Sequence, residues 1–270
     1  MGSIRAFLRA TLMSVLMSLP AKSRFIFGFC RYYIDRYNGD NDSAMETNGE
    51  LHLMRRILPQ CQTVFDIGAN VGAWTKLALQ VNPHLSVHCF EPNRVAFQRL
   101  SVELASQGVV CVNCGLSAHP GDAWLYVFGE ANEMNSLYQR QGLENSGLSA
   151  QMMQERVRLE TIERYCKDQH ISMVDFCKVD VEGHELEVFR GMTSLLAQQC
   201  IKVIQFEYGG CNIDSGVLLK DIFHFFKPFD YAFFKVMPEG LRPVPHYDQC
   251  LENLQYQNWV IMAHSCSLLL

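Results

Sequence analysis

The chain has 270 residues, 49% of them apolar, and this is enough to bury the core of one α/β domain. Its formal net charge of −5 argues against a nucleic-acid-binding protein, because such proteins usually carry a clustered basic surface. Eleven cysteines, an odd number without small-domain spacing, indicate a reducing compartment, so we expect a cytoplasmic protein.

Residues 1–45 form a basic arm in which the only acid before Gly39 is Asp35. Apolar residues at helical spacing predict an amphipathic helix over residues 3–19, which Pro20 ends. The sequence is a poor match to a signal peptide and leaves two roles open. Residues 3–36 either contact a membrane surface or a partner, or pack as a lid on the catalytic domain.

From Thr63 onward, apolar runs alternate with helical patterns, as in a parallel sheet with helices on both faces. We therefore predict a Rossmann-like α/β domain over residues 46–270, with a mostly parallel sheet of seven strands. The predicted strands are residues 63–67, 86–90, 109–113, 174–179, 201–206, 231–236 and 259–263. An insertion at about 117–172 contains strand-like segments at 123–128 and 156–160, and such insertions commonly carry substrate contacts.

A glycine loop follows the first predicted strand. Asp66-Ile67-Gly68-Ala69-Asn70-Val71-Gly72 leads from that strand into a helical pattern at 74–79, the order that a nucleotide site requires. Gly68 and Gly72 let the backbone turn tightly and approach a ligand closely. Asp66 is a poor neighbour for a pyrophosphate but suits an ammonium group, which favours S-adenosylmethionine over NAD.

An acid closes the second predicted strand about twenty residues after the loop. Glu91 stands where a carboxylate can accept both hydroxyl hydrogens of an adenosine ribose. A strand-end acid alone also fits a helix cap, so the prediction depends on the loop and the acid occurring together.

With these features the sequence resembles the FkbM-type methyltransferase family over about residues 46–264. The matching segments are Asn48-Gly49-Glu50, 64–75, Phe90-Glu91-Pro92, 113–117 with Pro120-Gly121, 178–185, and Asn258-Trp259-Val260. The resemblance implies an S-adenosylmethionine-dependent O-methyltransferase that acts on a hydroxyl of a small molecule, a secondary metabolite or a sugar.

The resemblance also implies which residues hold the cofactor. The glycine loop would line its methionine end, Glu91 its ribose, and the turn at 114–117 its adenine. The predicted contact residues are Glu50, Asp66, Gly68, Asn70, Gly72, Thr75, Glu91, Pro92, Asn93, Gly115 and Ser117.

Two mechanisms for activating the acceptor hydroxyl are open. Asp180 and Glu207 end the fourth and fifth predicted strands, at the sheet edge where ligands bind in open α/β folds. In one mechanism His184 is the general base. In the other, Asp180 and Glu207 hold a divalent cation, Mg²⁺ or Ca²⁺, that lowers the pKa of the hydroxyl.

Two other classes of protein are alternatives. An NAD-dependent oxidoreductase shares the loop and the acid, but would need a third loop glycine and a hydride-relay residue. A catalytically silent binding module would keep the fold and use the basic arm for docking. The sequence leaves the acceptor and the formation of a homo-oligomer open.

Overall fold

The computed structural model describes residues 2–19, 23–129, 132–141 and 152–266. The chain divides into two units, residues 1–40 and 41–270. Part of the predicted insertion, residues 130–131 and 142–151, lies outside the described residues. No helix in the described ranges is long and apolar enough to cross a membrane. All eleven cysteines fall within these ranges, and each is a free thiol.

The first unit consists of two helices, α1 (Gly2–Ser18) and α2 (Arg24–Asn38). The sequence predicts the first of them and not the second. The Ser23 hydroxyl caps α2 by accepting a hydrogen bond from the Ile26 amide at 3.3 Å. Gly39, with φ of 70°, ends the helix in the left-handed conformation that favours glycine.

The second unit contains the strands and the remaining helices. Its strands are β1 (Thr63–Ile67), β2 (Ser86–Phe90), β3 (Val110–Val112), β4 (Gly115–Leu116), β5 (Gly121–Val127), β6 (Met153–Glu160), β7 (Val174–Val179), β8 (Ile201–Tyr208), β9 (Tyr231–Met237), β10 (Gly240–Pro243) and β11 (Gln257–Ala263). Its helices are α3 (Glu50–Ile57), α4 (Ala73–Val81), α5 (Arg94–Leu104), α6 (Ile162–Asp168), α7 (Glu185–Arg190), α8 (Thr193–Ala197), α9 (Cys211–Ser215) and α10 (Leu219–Phe226).

The main sheet has the order β10-β9-β11-β8-β7-β1-β2-β3. Strands β1, β2, β3, β7 and β8 are parallel, and β11 runs antiparallel between β8 and β9. This arrangement confirms the predicted Rossmann-like, mostly parallel fold. The predicted count of seven strands is wrong, because β10 pairs with β9 as an additional edge strand. Its four residues include Pro243 and carry no clear alternation of apolar side chains, so the sequence gives no strand signal there.

Both faces of the main sheet are buried at its central strands. Neighbouring residues of one strand, such as Val64 and Phe65 or Val203 and Ile204, belong to two different apolar clusters on opposite faces. Side chains alternate along a strand, so a strand that is covered on both faces reads as a continuous apolar run. This is the pattern from which the sequence predicts the central strands.

The insertion adds a second, smaller sheet with the order β4-β6-β5. The helical pattern of the sequence runs without a break from His184 to Leu196, but the structure divides this segment into α7 and α8. The interruption lies at Gly191, where an added Cβ would stand 2.1 Å from the carbonyl oxygen of Ser117. The chain therefore passes too close to the insertion for a larger residue at this point.

The strand order reverses at β1, which has β2 on one side and β7 on the other. In open α/β sheets such a reversal opens a crevice at the carboxyl ends of the strands, where ligands bind. Here the crevice lies beyond the ends of β1, β2, β7 and β8.

Candidate active site

The loop after β1 is fastened to its neighbours by backbone contacts. Gly68 has φ of 82°, and an added Cβ would lie 1.7 Å from the carbonyl oxygen of Asp180. The amides of Gly68 and Ala69 donate to the Phe90 carbonyl oxygen at 2.9 and 3.1 Å. The glycine loop is therefore wedged between the carboxyl ends of β2 and β7, and position 68 has no room for a side chain.

Asp66 presents a partly unsatisfied carboxylate at the end of β1. The Thr75 hydroxyl donates to its Oδ2 at 2.6 Å, whereas Oδ1 is buried without a hydrogen-bond partner among the described residues. Burial raises the pKa of Asp66, although Lys178 and the hydrogen bond from Thr75 oppose the rise. A buried acceptor without a partner on the wall of a cavity is suited to a ligand that brings a donor.

Glu91 is held by two backbone amides at the end of β2. Its Oε2 accepts from the amide of Asn70 at 2.9 Å, and its Oε1 accepts from the amide of Asn93 at 2.7 Å. Burial raises the pKa of Glu91 to about 7, and the two amide hydrogen bonds oppose it. The carboxylate therefore has a fixed orientation. It lines the cavity and can accept further hydrogen bonds there.

One buried lysine lies among several acids at the ends of β7 and β8. Lys178 donates from Nζ to Asp180 Oδ2 at 2.7 Å. Burial alone disfavours the charged amine, but Asp180, Glu207 and Asp66 hold the pKa of Lys178 above its usual value. Burial and the neighbouring Asp180 raise the pKa of Glu207 well above its ordinary range. The site is thus rich in carboxylates and favours positively charged ligands.

Glu50, at the start of α3, is tied to the sheet by side-chain amides. It accepts at Oε1 from Asn48 at 2.7 Å and from Asn258 at 3.3 Å, and at Oε2 from Gln205 at 2.6 Å. These partners lie far apart along the chain. Segments 48–50 and 258–260, which the sequence singles out separately, meet in this network.

The insertion covers the crevice with residues that the sequence does not single out. Arg140 contacts Glu182 Oε2 at 2.8 Å and Asp214 Oδ2 at 3.2 Å, and its side chain is only 13% exposed. The Ser136 hydroxyl donates to the carbonyl oxygen of Glu182 at 2.7 Å. Each contact joins positions more than forty residues apart, so no local pattern indicates them.

His184 lies between the insertion and the loop after β7. Its Nδ1 is 3.0 Å from the Tyr138 hydroxyl, and its Nε2 is 3.0 Å from the Ser117 hydroxyl. Burial lowers the pKa of His184 to about 4. The ring is therefore neutral at physiological pH, and both nitrogens are engaged, which favours a positioning role over that of a general base.

These elements enclose a cavity of about 480 Å³. The predicted site residues on its wall are Glu50, Asp66, Gly68, Asn70, Glu91, Pro92, Gly115, Asp180, His184 and Glu207. Four further predicted contact residues do not line it: Gly72, Thr75, Asn93 and Ser117. Each of the four supports a wall residue or an adjoining helix instead. Gly72 caps α4, and Thr75 donates to Asp66. The Asn93 amide donates to Glu91, and Ser117 contacts His184.

The divalent cation predicted between Asp180 and Glu207 is not supported. Within the described ranges, no three His, Cys, Asp or Glu side chains are grouped as a metal site requires. The Lys178 ammonium occupies one oxygen of Asp180 at 2.7 Å, and Tyr256 donates to Glu207 Oε1 at 2.9 Å. The donor set is therefore already committed to protein partners.

The reversal of strand order, with the glycine loop and the strand-end acid beside it, defines a Rossmann-like α/β protein with a cavity at the sheet edge where such folds bind ligands. Residues 66–233 match the methyltransferase FkbM domain, and the chain belongs to this family. The resemblance read from the sequence is thereby confirmed.

The chain is similar to several methyltransferases. It is 31% identical over 160 residues to "Methyltransferase sdnD" of Sordaria araneosa, a match that covers 50% of this chain and 62% of the relative. It is 25% identical over 184 residues to "Hexuronic acid methyltransferase AglP" of Haloferax volcanii, covering 66% of this chain and 67% of the relative. The crystal structure of methyltransferase FkbM from Methylobacillus flagellatus matches with a TM-score of 0.46 and 16% identity, covering 74% of this chain and 43% of that one.

Proposed function

We propose that the protein is an S-adenosylmethionine-dependent O-methyltransferase that acts on a hydroxyl of a small molecule. Membership of the FkbM family supports methyl transfer. The observation that carries the choice of cofactor is the unpartnered Oδ1 of Asp66 on the wall of an acid-rich cavity. S-adenosylmethionine supplies a methyl group on a positively charged sulfur and also carries an ammonium group.

The residues present fit this cofactor. Asp66 Oδ1 is a buried acceptor that the ammonium can satisfy, and Glu91 is oriented by two amides to receive ribose hydroxyls. Asp180 and Glu207 line the same cavity, and a cationic sulfur bound there would favour the charged form of Glu207, whose pKa burial raises. NAD brings a pyrophosphate instead, and these carboxylates would repel it, so we do not favour an oxidoreductase.

Glu207 is our candidate for the proton acceptor. Its high pKa gives it affinity for a proton, and a positive charge bound beside it would favour its carboxylate form. The hydroxyl of the acceptor would lose its proton to this carboxylate as the oxygen gains the methyl group. Tyr256, which donates to Glu207 Oε1 at 2.9 Å, keeps that carboxylate in place. A cavity that aligns the reactants can contribute about 7 to 11 kcal/mol to such a displacement.

The acceptor that we propose is a sugar or a secondary metabolite with a free hydroxyl. The part of the cavity wall formed by the insertion includes Asn132, Asn135 and Arg140, which supply the polar groups that recognise hydroxyls. The relative named as a hexuronic acid methyltransferase makes a hexuronic acid a reasonable first acceptor to test.

Calorimetric titration of S-adenosylmethionine and, separately, of NAD into the purified protein tests the proposal. We expect saturable binding of the methyl donor alone, weakened at least tenfold in Asp66→Asn and Glu91→Gln variants. The Glu103→Gln variant is a matched control, because Glu103 pairs with Lys76 on the surface. The next assay would measure transfer of a labelled methyl group from the donor to glucuronic acid and, separately, to a simple phenol. Failure of the folded wild type to bind the donor would overturn the proposal.

A further inference from the structure

We propose that residues 1–40 dock the protein onto an anionic membrane surface. The observation is a concentration of exposed apolar side chains. Of the 23 large hydrophobic residues that are exposed within the described ranges, 15 lie between positions 5 and 37. They include Phe25 at 83% exposure and Met17 at 81%. An exposed apolar surface of this extent marks an interaction site rather than ordinary scatter.

The arrangement of side chains on α2 suits a lipid interface. Arg24, Arg31 and Asn38 follow one another at intervals of seven residues and form one polar stripe along the helix, which also includes Asp35, 3.8 Å from Arg31. The rest of the circumference carries mainly aromatic and aliphatic side chains, interrupted by Arg36 in the last turn: Phe25, Ile26, Phe27, Phe29, Tyr32, Tyr33, Ile34 and Tyr37. A helix with one polar, net basic stripe and a wide aromatic face is suited to lie in the plane of a membrane interface, with its apolar face among the acyl chains.

The charge distribution selects an anionic surface. Residues 1–40 hold six basic and two acidic side chains, a net charge of +4. Residues 41–270 hold 17 basic and 26 acidic side chains, a net charge of −9. An anionic bilayer therefore attracts the first unit and repels the second, so that contact is limited to the arm.

Helix α1 strengthens the same surface. Every residue from 5 to 19 is exposed, and Arg5 and Arg9 precede an apolar run that includes Leu12, Val15 and Leu16. Long arginine side chains can keep their charge at the headgroups while their stems lie along apolar surface. Two linked helices bind a membrane with higher affinity than one. Once the first has bound, the second is kept close to the surface at a high effective concentration.

Flotation of the full chain with vesicles tests this proposal. We expect binding to vesicles of phosphatidylcholine with phosphatidylserine, much weaker binding to phosphatidylcholine alone, and release by salt. Replacing Arg24 and Arg31 by Gln should weaken binding about fivefold for each charge removed. The Phe25→Ser/Phe29→Ser variant should lose at least about tenfold. Val102→Ser, at an exposed apolar position on α5, is the matched control and should bind as the wild type does.

Three outcomes would overturn the proposal. The wild type could fail to float with either vesicle, or the arm variants could bind as the wild type does. Sedimentation could also show self-association that Phe25→Ser/Phe29→Ser abolishes while vesicle binding is absent, which would make a second copy of the chain the occupant. Circular dichroism and thermal unfolding of each variant show that it is folded, whether or not it binds S-adenosylmethionine. The proposed methyltransferase activity and the membrane contact therefore fail independently.

Discussion

Thr75 donates its hydroxyl hydrogen to one oxygen of Asp66 at 2.6 Å, while the other oxygen of that carboxylate is left buried and without a partner among the described residues. The pair links α4 to the end of β1 beneath the cavity. Thr75 thus fixes the orientation of the carboxylate and leaves its second oxygen available to a ligand.

We predict that Thr75→Val weakens binding of S-adenosylmethionine about tenfold, the equivalent of a hydrogen bond to a charged group. Val has nearly the shape of Thr but no donor, so the pKa of Asp66 should rise further. Thr75→Ser keeps the donor and should bind as the wild type does. Calorimetric titration at neutral pH measures both variants, and equal affinities for Val and Ser would refute the role of this hydroxyl.

The second prediction concerns pH. Burial raises the pKa values of Glu91 and Glu182 to about 7, so both carry protons in the ligand-free protein below that pH. A cationic ligand favours the charged carboxylates. We therefore expect affinity for S-adenosylmethionine to rise as pH increases through about 7. S-adenosylhomocysteine has lost the charge on sulfur and should show a shallower dependence.

Titrations of both ligands over a series of pH values test this expectation. Repeating them in buffers of different ionisation enthalpy reports the protons released on binding. Glu103→Gln again serves as a control, because Glu103 is a surface residue that pairs with Lys76. If affinity depends on pH in the same way for the two ligands, ionisation of the carboxylates does not strengthen binding of the charged sulfur, and the prediction is wrong.

The parts of the site that the sequence predicts are local. Asp66, Gly68 and Glu91 stand at strand ends, where the alternation of strands and helices fixes their place at one sheet edge. The covering contacts are different. Arg140 meets Glu182 and Asp214, and Tyr138 meets His184, only because the insertion folds back over the crevice. Such pairings depend on tertiary structure, and the spacing of residues does not report them.

The extra strand and the divided helix show the same limit in the fold. The strands that are buried on both faces give continuous apolar runs, and their predicted positions agree with the structure to within two residues. Strand β10 is a short edge strand without such a run. The helix is interrupted at Gly191 because the chain there packs against Ser117, more than seventy residues earlier. The helical pattern of the local sequence does not indicate this contact.

The third prediction tests the buried ion pair. Lys178→Met should lower the free energy of unfolding by about 2 to 4 kcal/mol, because Asp180 then stands among other acids without its partner. We expect a smaller loss of free energy than for a fully buried pair, because the Asp180 side chain is 27% exposed. Adding Asp180→Asn to the Lys178→Met variant should restore part of the loss. Urea unfolding of the wild type, both single variants and the double variant measures the coupling, and strictly additive effects would contradict it.

The last prediction separates the two roles considered for His184. A general base with an ordinary imidazole pKa would make turnover fall as pH drops through about 6.5. Burial lowers the pKa of His184 to about 4, and its two nitrogens face Tyr138 and Ser117, so we expect no such transition. His184→Gln should keep turnover within about tenfold of the wild type, a smaller effect than the loss of a general base commonly causes. His184→Ala should cost about 1 to 3 kcal/mol of stability for each hydroxyl left without a partner. Turnover as a function of pH and urea unfolding of both variants distinguish the two roles. A transition near pH 6.5 in the wild type, lost in His184→Gln together with turnover, would establish His184 as the general base instead.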